Sequence, residues 1–221
     1  EVEVVMETRV IPFVKQDQVY KVNEKGQYVD ADELVRYLKR EGHYPQGQNM
    51  DAIDCQAIED CLQKHEMVRK VECYKSPFGK VCLGVTQRVP VMYVVANDGC
   101  DYVDSDRRVM PVRRQIAVDV PVFRGAVSPR AAKEEYYDFV MWLDENPYWG
   151  ERVREVHVSN PKYLVLSQKE QNEKIILGAL DEYEMKLTKL RKVYSKGAAL
   201  VDSMGYRAYD LRFDGQVVAR K

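Results

Sequence analysis

The residues of this sequence whose types and spacing best suit chemistry are Cys61 and His65. They lie four positions apart in a segment with helical periodicity, so both side chains are expected on one helix face. A thiol and an imidazole placed in this way could bind a metal ion or act as nucleophile and base. Because Ile58 and Leu62 share this face, the pattern favours a packed cysteine with a histidine at the rim of a core.

Other signs of an enzyme are weak. The sequence contains no G-x-S-x-G, H-E-x-x-H, P-loop or G-x-G-x-x-G motif. His43 and His157 have no obvious partner, and Glu134-Glu135 falls at a predicted helix start, where the helix dipole favours negative charge without a catalytic role. We therefore predict no catalytic, cofactor-binding or metal-binding residues. A Cys/His metal-dependent enzyme is the less favoured alternative.

The composition is that of a globular chain without a strong net charge. Of its 221 residues, 45% are hydrophobic and 31% are charged, which is enough apolar material for one large core or two modest ones. Lys and Arg number 34 against 35 acidic residues, so the net charge of -1 argues against nucleic acid or an anionic membrane surface as a partner. The longest apolar stretch, Val89 to Ala96, is far shorter than the roughly 20 residues of a membrane-spanning helix.

The five cysteines are an odd number without C-x-x-C spacing, which argues against a disulfide framework and against a zinc ribbon. Cys73 and Cys82 flank a turn at 76–79 and could face each other on the two strands of a hairpin. Directly paired strand positions rarely suit disulfide geometry, so the sequence leaves open whether these two cysteines are bonded.

The first half of the sequence predicts a small α+β module with the order strand, helix, helix, strand, strand. A capping box at Asp30 starts one short helix, which Gly42 ends, and a second helix follows Asp51 or Asp54. The strands are predicted at Val2 to Met6, Val68 to Tyr74 and Val81 to Arg88. We interpret residues 8 to 27 as an inserted hairpin or loop, because they fit this plan poorly.

The second half predicts a larger domain of mostly antiparallel strands with helices. Strand-like segments lie around Tyr93, Tyr102, Val118 to Phe123, Val153 to Val158, Tyr163 to Ser167 and Lys174 to Leu177. Ser128-Pro129 starts a helix whose buried stripe is Ala132, Tyr136, Phe139, Val140 and Leu143. A further helix carries Leu180, Tyr183, Leu187, Leu190 and Tyr194. We place the domain boundary near residues 88 to 92.

The C-terminal residues carry the strongest hairpin signal, because Asp214-Gly215 separates two alternating segments, 206–213 and 216–221. With a two-residue turn, Leu211 faces Val218, and the backbone groups of Val217 and Ala219 point away. The apolar face is expected to hold Tyr209, Leu211, Phe213 and Val218, and the other face Asp210, Arg212, Val217, Ala219 and Lys221.

The final strand is expected to bind a partner strand, because an uncovered strand edge normally risks aggregation. The predicted partner-binding residues are Arg212, Phe213, Gly215, Gln216, Val217, Val218 and Ala219. Arg212 is expected to be available for an acidic residue of the partner. The alternative is an edge that is simply protected by Arg220 and Lys221.

Several passages resemble, in the same order, those of one known family. One is Val85-Thr86-Gln87-Arg88-Val89-Pro90-Val91; the others are Asp101 to Asp104, Met110-Pro111, Val120 to Gly125, Ile175 to Gly178, Lys186-Leu187 and Tyr209 to Phe213. They are similar to the POTRA domain and the following domain of the FtsQ/DivIB family of bacterial cell-division proteins. Tyr44-Pro45-Gln46-Gly47 resembles the form found in Bacteroidetes. Ala179 and Phe213 depart from the family pattern, so two polar contacts to partners are not carried over.

The resemblance implies a POTRA domain at 1–90, with an insertion at about 8–27, and an FtsQ-type β domain at 91–221. It implies a non-catalytic scaffold, without cofactor or metal, that binds FtsB/FtsL-like division proteins and, through the POTRA domain, other components of the division complex. It also implies a single-pass inner-membrane protein, anchored by a helix before Glu1, with this region in the periplasm. The alternative is a POTRA-containing secretion or outer-membrane assembly module.

Overall fold

The computed structural model describes residues 2–7, 29, 31–45, 47–77, 79–96, 99–110, 118–203 and 205–221. These residues divide into two compact units, one drawn from Glu1–Val89 and Met110–Asp119 and the other from Pro90–Val109 and Val120–Lys221. Both units combine helices with strands, which confirms the predicted α+β class. The insertion predicted at residues 8 to 27 lies outside the described residues.

The first unit has the predicted order of strand, helix, helix, strand, strand. Its elements are β1 (Val2–Glu7), α1 (Ala31–Arg40), a short 3₁₀ helix (Met50–Ala52), α2 (Cys55–Leu62), β2 (Val68–Lys75) and β3 (Val81–Gln87). In the three-stranded sheet, β3 is central and pairs in parallel with β1 and antiparallel with β2. The predicted hairpin of β2 and β3 is therefore confirmed.

Local chemistry sets the ends of both helices. At the end of α1, the N–H of His43 donates to the Leu38 carbonyl at 2.9 Å across Gly42, whose φ is +76°. This arrangement is a Schellman motif, which needs the left-handed backbone that glycine adopts readily. At the start of α2, the Asp54 side chain accepts from the N–H of Ala57 at 3.1 Å, so Asp54 rather than Asp51 caps the helix.

The core of the first unit lies where α1 and α2 meet each other and where α2 packs on β2. Its buried residues come from both helices and the two hairpin strands, and include Leu34, Leu38, Ile58, Leu62, Val68, Val71, Leu83 and Val85. Each fully buried aliphatic side chain contributes about 1.5–3 kcal/mol relative to an exposed one.

The described residues of the second unit include a larger sheet and four helices. The strands are β4 (Pro90–Ala96), β5 (Gly99–Asp104), β6 (Val109–Met110), β7 (Val122–Gly125), β8 (Val153–Asn160), β9 (Tyr163–Gln168), β10 (Lys174–Gly178), β11 (Ala208–Asp210) and β12 (Val218–Arg220). The helices are α3 (Pro129–Lys133), α4 (Glu135–Glu145), α5 (Pro147–Gly150) and α6 (Tyr183–Ser203). Among these described residues, the order in the nine-stranded sheet is β12-β11-β10-β9-β8-β7-β4-β5-β6.

The larger sheet is mixed. Parallel pairing joins β4 to β7, β7 to β8 and β10 to β11. Antiparallel pairing joins β4 to β5, β8 to β9, β9 to β10 and β11 to β12. Parallel neighbours need a crossover connection, and α6 supplies the one between β10 and β11.

The core of the second unit includes the helix stripe that the sequence predicts, since Ala132, Tyr136, Phe139, Val140 and Leu143 are all buried. Leu187 and Leu190 of α6 belong to the same core. The single helix predicted from Ser128 is wrong in one respect, because the chain breaks at Glu134 (φ −111°, ψ −95°) into α3 and α4. None of the helices in the described ranges is both long enough and apolar enough to cross a membrane.

Candidate partner-binding site

The hairpin of β11 and β12 forms one end of the larger sheet. β12 is the last strand in the order, and β11 lies between it and β10. In the part of the chain that the structure describes, no strand pairs with the outer side of β12. The site that the sequence predicts for a partner strand therefore lies at an open sheet edge.

The predicted turn of this hairpin is present, but the register of its strands differs from the prediction. The N–H of Gln216 donates to the Phe213 carbonyl at 3.2 Å, with Asp214 and Gly215 between them and Gly215 at φ +71°. In the ladder, however, Val218 lies opposite Asp210 rather than opposite Leu211. The predicted register is wrong by one residue.

The shift has a local cause at the end of β11. The N–H of Arg212 donates to Oδ1 of Asp210 at 3.2 Å, and the N–H of Leu211 donates to the Ile176 carbonyl of β10 at 2.9 Å. Because these donors are already bonded, residues 211–217 leave the ladder and the strands are shorter than predicted. A side chain that bonds its own backbone two residues on is a common way to end regular structure.

The new register exchanges the faces of the β12 residues. Residues directly opposite in an antiparallel pair share a face, so Ala219 lies with Tyr209, and Val218 lies with Asp210. The prediction that placed Val218 with Tyr209 is therefore wrong. Tyr209 and Leu211 are buried as predicted, whereas Phe213 is 47% exposed and does not belong to the buried face.

The backbone N–H and C=O of Ala219 are the groups that β12 exposes at the open edge of the sheet. Asp210 pairs with Ile176 in the parallel register, and the N–H of its neighbour Leu211 donates to the Ile176 carbonyl. The backbone groups of Asp210 itself must then point to the other side, where Val218 is its partner in β12. Because backbone groups alternate along a strand, the N–H and C=O of Ala219 point away from β11.

Asp210 is the centre of a charged cluster beside this edge. Its carboxylate is fully buried and accepts from Nε of Arg212 at 2.9 Å, from Nη2 of Arg212 at 2.7 Å and from Nε of Arg220 at 3.0 Å. The side-chain hydrogen bonds from Arg212, with further ones from its backbone and from Arg220, outweigh burial and lower the pKa of Asp210 to about 2. Two arginines on one aspartate leave the cluster with one excess positive charge.

Arg212 is therefore not free in the way that the sequence suggested. Besides its bonds to Asp210, its guanidinium lies over the ring of Tyr163, 5.0 Å from the ring centre. Pairing of Arg212 with an acidic partner residue stays a prediction, and its guanidinium is already bonded to Asp210. Arg220, whose side chain is 47% exposed and which also binds Asp210, carries the more accessible guanidinium.

A shallow groove lies next to the turn, between α6 and residues 211–216. Two large apolar side chains at this groove, Phe213 and Met185, are each 47% exposed. The remaining lining residues are mostly charged or polar: Asp181, Glu182, Lys186, Lys189, Leu211, Arg212, Asp214 and Gln216. Met185 was not among the predicted site residues, although an apolar residue off the buried stripe of Leu187 and Leu190 is a signal of an exposed contact.

The thiol and imidazole singled out in the sequence lie in the core of the first unit. His65 is 8% exposed; its Nδ1 accepts from the N–H of Met67 at 3.3 Å, and the Tyr37 ring meets it edge-on at 4.9 Å. Cys61 is buried, and burial raises its pKa. Within the described ranges, no three His, Cys, Asp or Glu residues are grouped so that they could hold a metal ion.

The register of β2 and β3 bears on the two hairpin cysteines. Cys73 lies opposite Leu83 and Cys82 lies opposite Tyr74, so the two cysteines are one position out of register. Adjacent positions along a strand point to opposite faces of a sheet. Both cysteines are free thiols.

Two family models match the chain, one in each of its two units. The model of a family described as FtsQ/DivIB, C-terminal related, matches residues 89–220, and the model of a POTRA-like domain matches residues 21–86. The chain belongs to the FtsQ/DivIB C-terminal related family. The predicted resemblance is confirmed, as is the predicted fold of a POTRA-like domain followed by a larger β domain with helices. A search of curated proteins gives no match.

Membership of this family gives the function in outline. FtsQ/DivIB proteins are non-catalytic scaffolds of bacterial cell division, and they act through contacts with other division proteins. The open edge of β12 lies within the matched C-terminal region.

Proposed function

We propose that this chain is a scaffold of the division complex that binds FtsB/FtsL-like division proteins by adding a partner strand to the outer side of β12. The observation that carries the proposal is the open edge of β12, where the N–H and C=O of Ala219 point outward. A strand added there would continue the sheet order beyond β12. The contact residues are those predicted from sequence at 212, 213 and 215–219.

The shape of the surface next to β12 supports this proposal. An added strand gains affinity from main-chain hydrogen bonds and specificity from pockets that take alternate side chains. The groove beside the turn supplies such a pocket, because Phe213 and Met185 present apolar surface there. Large exposed side chains of this kind are common anchors at protein interfaces.

The charge of the surface supports an acidic partner segment. The buried Asp210 neutralises one of its two arginines, so Arg212 and Arg220 together leave one positive charge near the edge. This charge favours a carboxylate near the β12 edge, and Arg220 is the better placed of the two to meet it. Complementary charge of this kind mainly fixes register and speeds association.

Membership of the family also supports a proposal for the cellular setting. We infer that the chain is the periplasmic region of a single-pass inner-membrane protein, with its anchor N-terminal to Glu1. The POTRA-like unit would then contribute to recruitment and to contacts with other division proteins. In this setting β12 would be open to partner segments outside the cytoplasm.

The experiment that tests the function uses the whole chain and the extracytoplasmic segments of the FtsB-like and FtsL-like proteins of the same bacterium. The mixture is separated by size-exclusion chromatography, and amide hydrogen exchange is compared between the free and the bound chain. We expect a complex in which the amide of Ala219 becomes protected, while exchange in β1 to β3 is unchanged. A mixture that elutes as separate components would contradict the proposal.

A further inference from the structure

Cys55 and Cys73 lie side by side in the first unit, at the contact between α2 and β2. Cys55 is the first residue of α2, and its position is fixed because the Asp54 side chain caps the helix. Cys73 lies in β2, on which α2 packs. The Cys55 side chain lies close enough to Cys73 to contribute, after burial, to the raised pKa of Cys73, and both thiols are free and partly exposed.

Glu59 holds this pair in place. It follows Cys55 by four residues, so the two side chains share one face of α2. Oε1 of Glu59 accepts from the backbone N–H of Cys73 at 2.6 Å. The helix therefore contacts the strand at Cys73 twice, through a thiol and through a carboxylate.

The other cysteines are less suited to pair with Cys73. Cys82 is one position out of register with it and points to the opposite face of the sheet. Cys61 is buried among the core residues of α2, and Cys100 belongs to the second unit. The contact geometry thus selects one partner among the four.

We propose that Cys55 and Cys73 form a disulfide site, which closes when the protein meets a disulfide oxidant such as oxidised glutathione or an oxidised dithiol protein. The Cys55 thiolate attacks the S–S bond of the oxidant, giving a mixed disulfide and releasing one thiolate. The Cys73 sulfur then attacks Sγ of Cys55, which forms the internal disulfide and releases the second thiolate. The two cysteine protons pass to the two released thiolates, and the oxidant gains the two electrons that the cysteines lose.

The environment of Cys73 sets the order of these steps. Burial, followed by the hydrogen bond with Cys55, raises the pKa of Cys73 to about 12. Near neutral pH, Cys73 therefore contains little of the thiolate that attacks disulfides. It acts as the second nucleophile, where its closeness to Cys55 compensates for its low reactivity.

The test uses the full chain with the exposed Cys100 changed to serine, so that disulfides between molecules do not interfere. The protein is incubated with oxidised glutathione, its remaining thiols are alkylated, and a tryptic digest is analysed by mass spectrometry. Cleavage after Arg40, Lys64, Lys70 and Lys75 separates the peptide 41–64 from the peptide 71–75. We expect these two peptides to be linked, with the loss of two alkylatable thiols.

Peptide 41–64 also contains Cys61, so matched variants identify the partner. The link is expected to persist in Cys61→Ala and in Cys82→Ala and to disappear in Cys55→Ala. Circular dichroism of each variant checks that the fold is retained, and fragmentation of the linked peptides of the Cys100→Ser protein gives the same assignment without further substitution. Glutathione bound to single cysteines only, or a link from 71–75 to the peptide that contains Cys82, would overturn the proposal.

A second measurement is the thermal unfolding of the oxidised protein. Closing a loop of this size stabilises a small domain, and we expect the melting temperature of the first unit to rise by about 5 °C or more. The rise should vanish on reduction and be missing in Cys73→Ala. An oxidised, linked protein that melts at the temperature of the reduced one would show that the bond strains the fold, contrary to the proposed site.

Discussion

Arg212 lies directly against Gly178. A Cβ atom at position 178 would stand 2.8 Å from Cγ of Arg212, and the φ of Gly178 is +78°. The absence of a side chain at Gly178 thus lets the stem of Arg212 cross the end of β10 and reach the buried carboxylate of Asp210. The end of β10 at Gly178, the side chain of Arg212 and the carboxylate of Asp210 are therefore in contact with one another, next to the candidate partner-binding edge.

The substitution Gly178→Ala should therefore destabilise the second unit by about 2–3 kcal/mol, since the positive φ and the displaced Arg212 both carry a cost. Gly205→Ala is the matched control, because Gly205 has a φ of +64° but nothing within 4 Å of an added Cβ. Its cost should be about 1 kcal/mol, from the backbone alone. Urea unfolding measures the free energy of unfolding of both variants. Equal losses of stability in Gly178→Ala and Gly205→Ala would argue against the contact between Gly178 and Arg212.

Replacing Asp210 by asparagine should destabilise the protein by about 1–3 kcal/mol, because it leaves two arginines without their buried acceptor. Glu155→Gln is the control, since Glu155 pairs with Arg124 at 2.9 Å in a partly exposed position. Exposed ion pairs contribute only about 0–1 kcal/mol. Chemical unfolding should show a larger loss of unfolding free energy for Asp210→Asn than for Glu155→Gln. A loss for Asp210→Asn no larger than that of the control would contradict the stabilising role assigned to Asp210.

The stability conferred by Asp210 should depend on pH. Its pKa is lowered from 3.8 to about 2 in the folded protein. A group whose pKa is lower when folded stabilises the protein above its unfolded pKa, and this contribution is lost as the pH falls through the folded pKa. The difference in unfolding free energy between the wild type and Asp210→Asn should thus be constant above pH 5 and shrink by about 2 kcal/mol towards pH 2. A difference that does not change between pH 5 and pH 2 would contradict the assigned pKa.

Much of the fold could be predicted from sequence, because local signals and buried periodicity agree in most elements. The Schellman end of α1 at Gly42, the Asp54 cap of α2 and the buried stripe of α4 all depend on residues close together in the chain. The Asp-Gly turn before β12 is of the same kind. In each case the residue types restrict the backbone directly.

The details of the site could not be predicted because they depend on competition between neighbouring hydrogen bonds. Alternation suggests that Leu211 continues the hairpin, but Asp210 accepts from the N–H of Arg212 and bends the chain away. Together with the bond from the Leu211 N–H to the Ile176 carbonyl, this bond accompanies the shift in the register of β12. Two further bonds to Asp210, from Nε and Nη2 of Arg212, use the guanidinium that the sequence left available for a partner.

The burial of Asp210 is a second feature of the site that could not be predicted from the sequence. In the sequence, an Asp in an alternating strand is expected on the polar, solvent face. In the structure it is fully buried, because two arginines from different parts of the hairpin reach it. Pairing between Asp210 and Arg220 requires the observed register, in which Arg220 lies two positions beyond Val218 on the same face.

The most direct test of strand addition at β12 is the affinity of an FtsB-like segment for two variants at position 219, measured by titration calorimetry. Ala219→Pro removes the outward N–H from an edge strand, where proline is tolerated, and Ala219→Ser keeps it. We expect binding to weaken at least tenfold in Ala219→Pro and to change less than threefold in Ala219→Ser, with similar melting temperatures for both. An Ala219→Pro protein that folds and binds as tightly as Ala219→Ser would contradict strand addition at this edge.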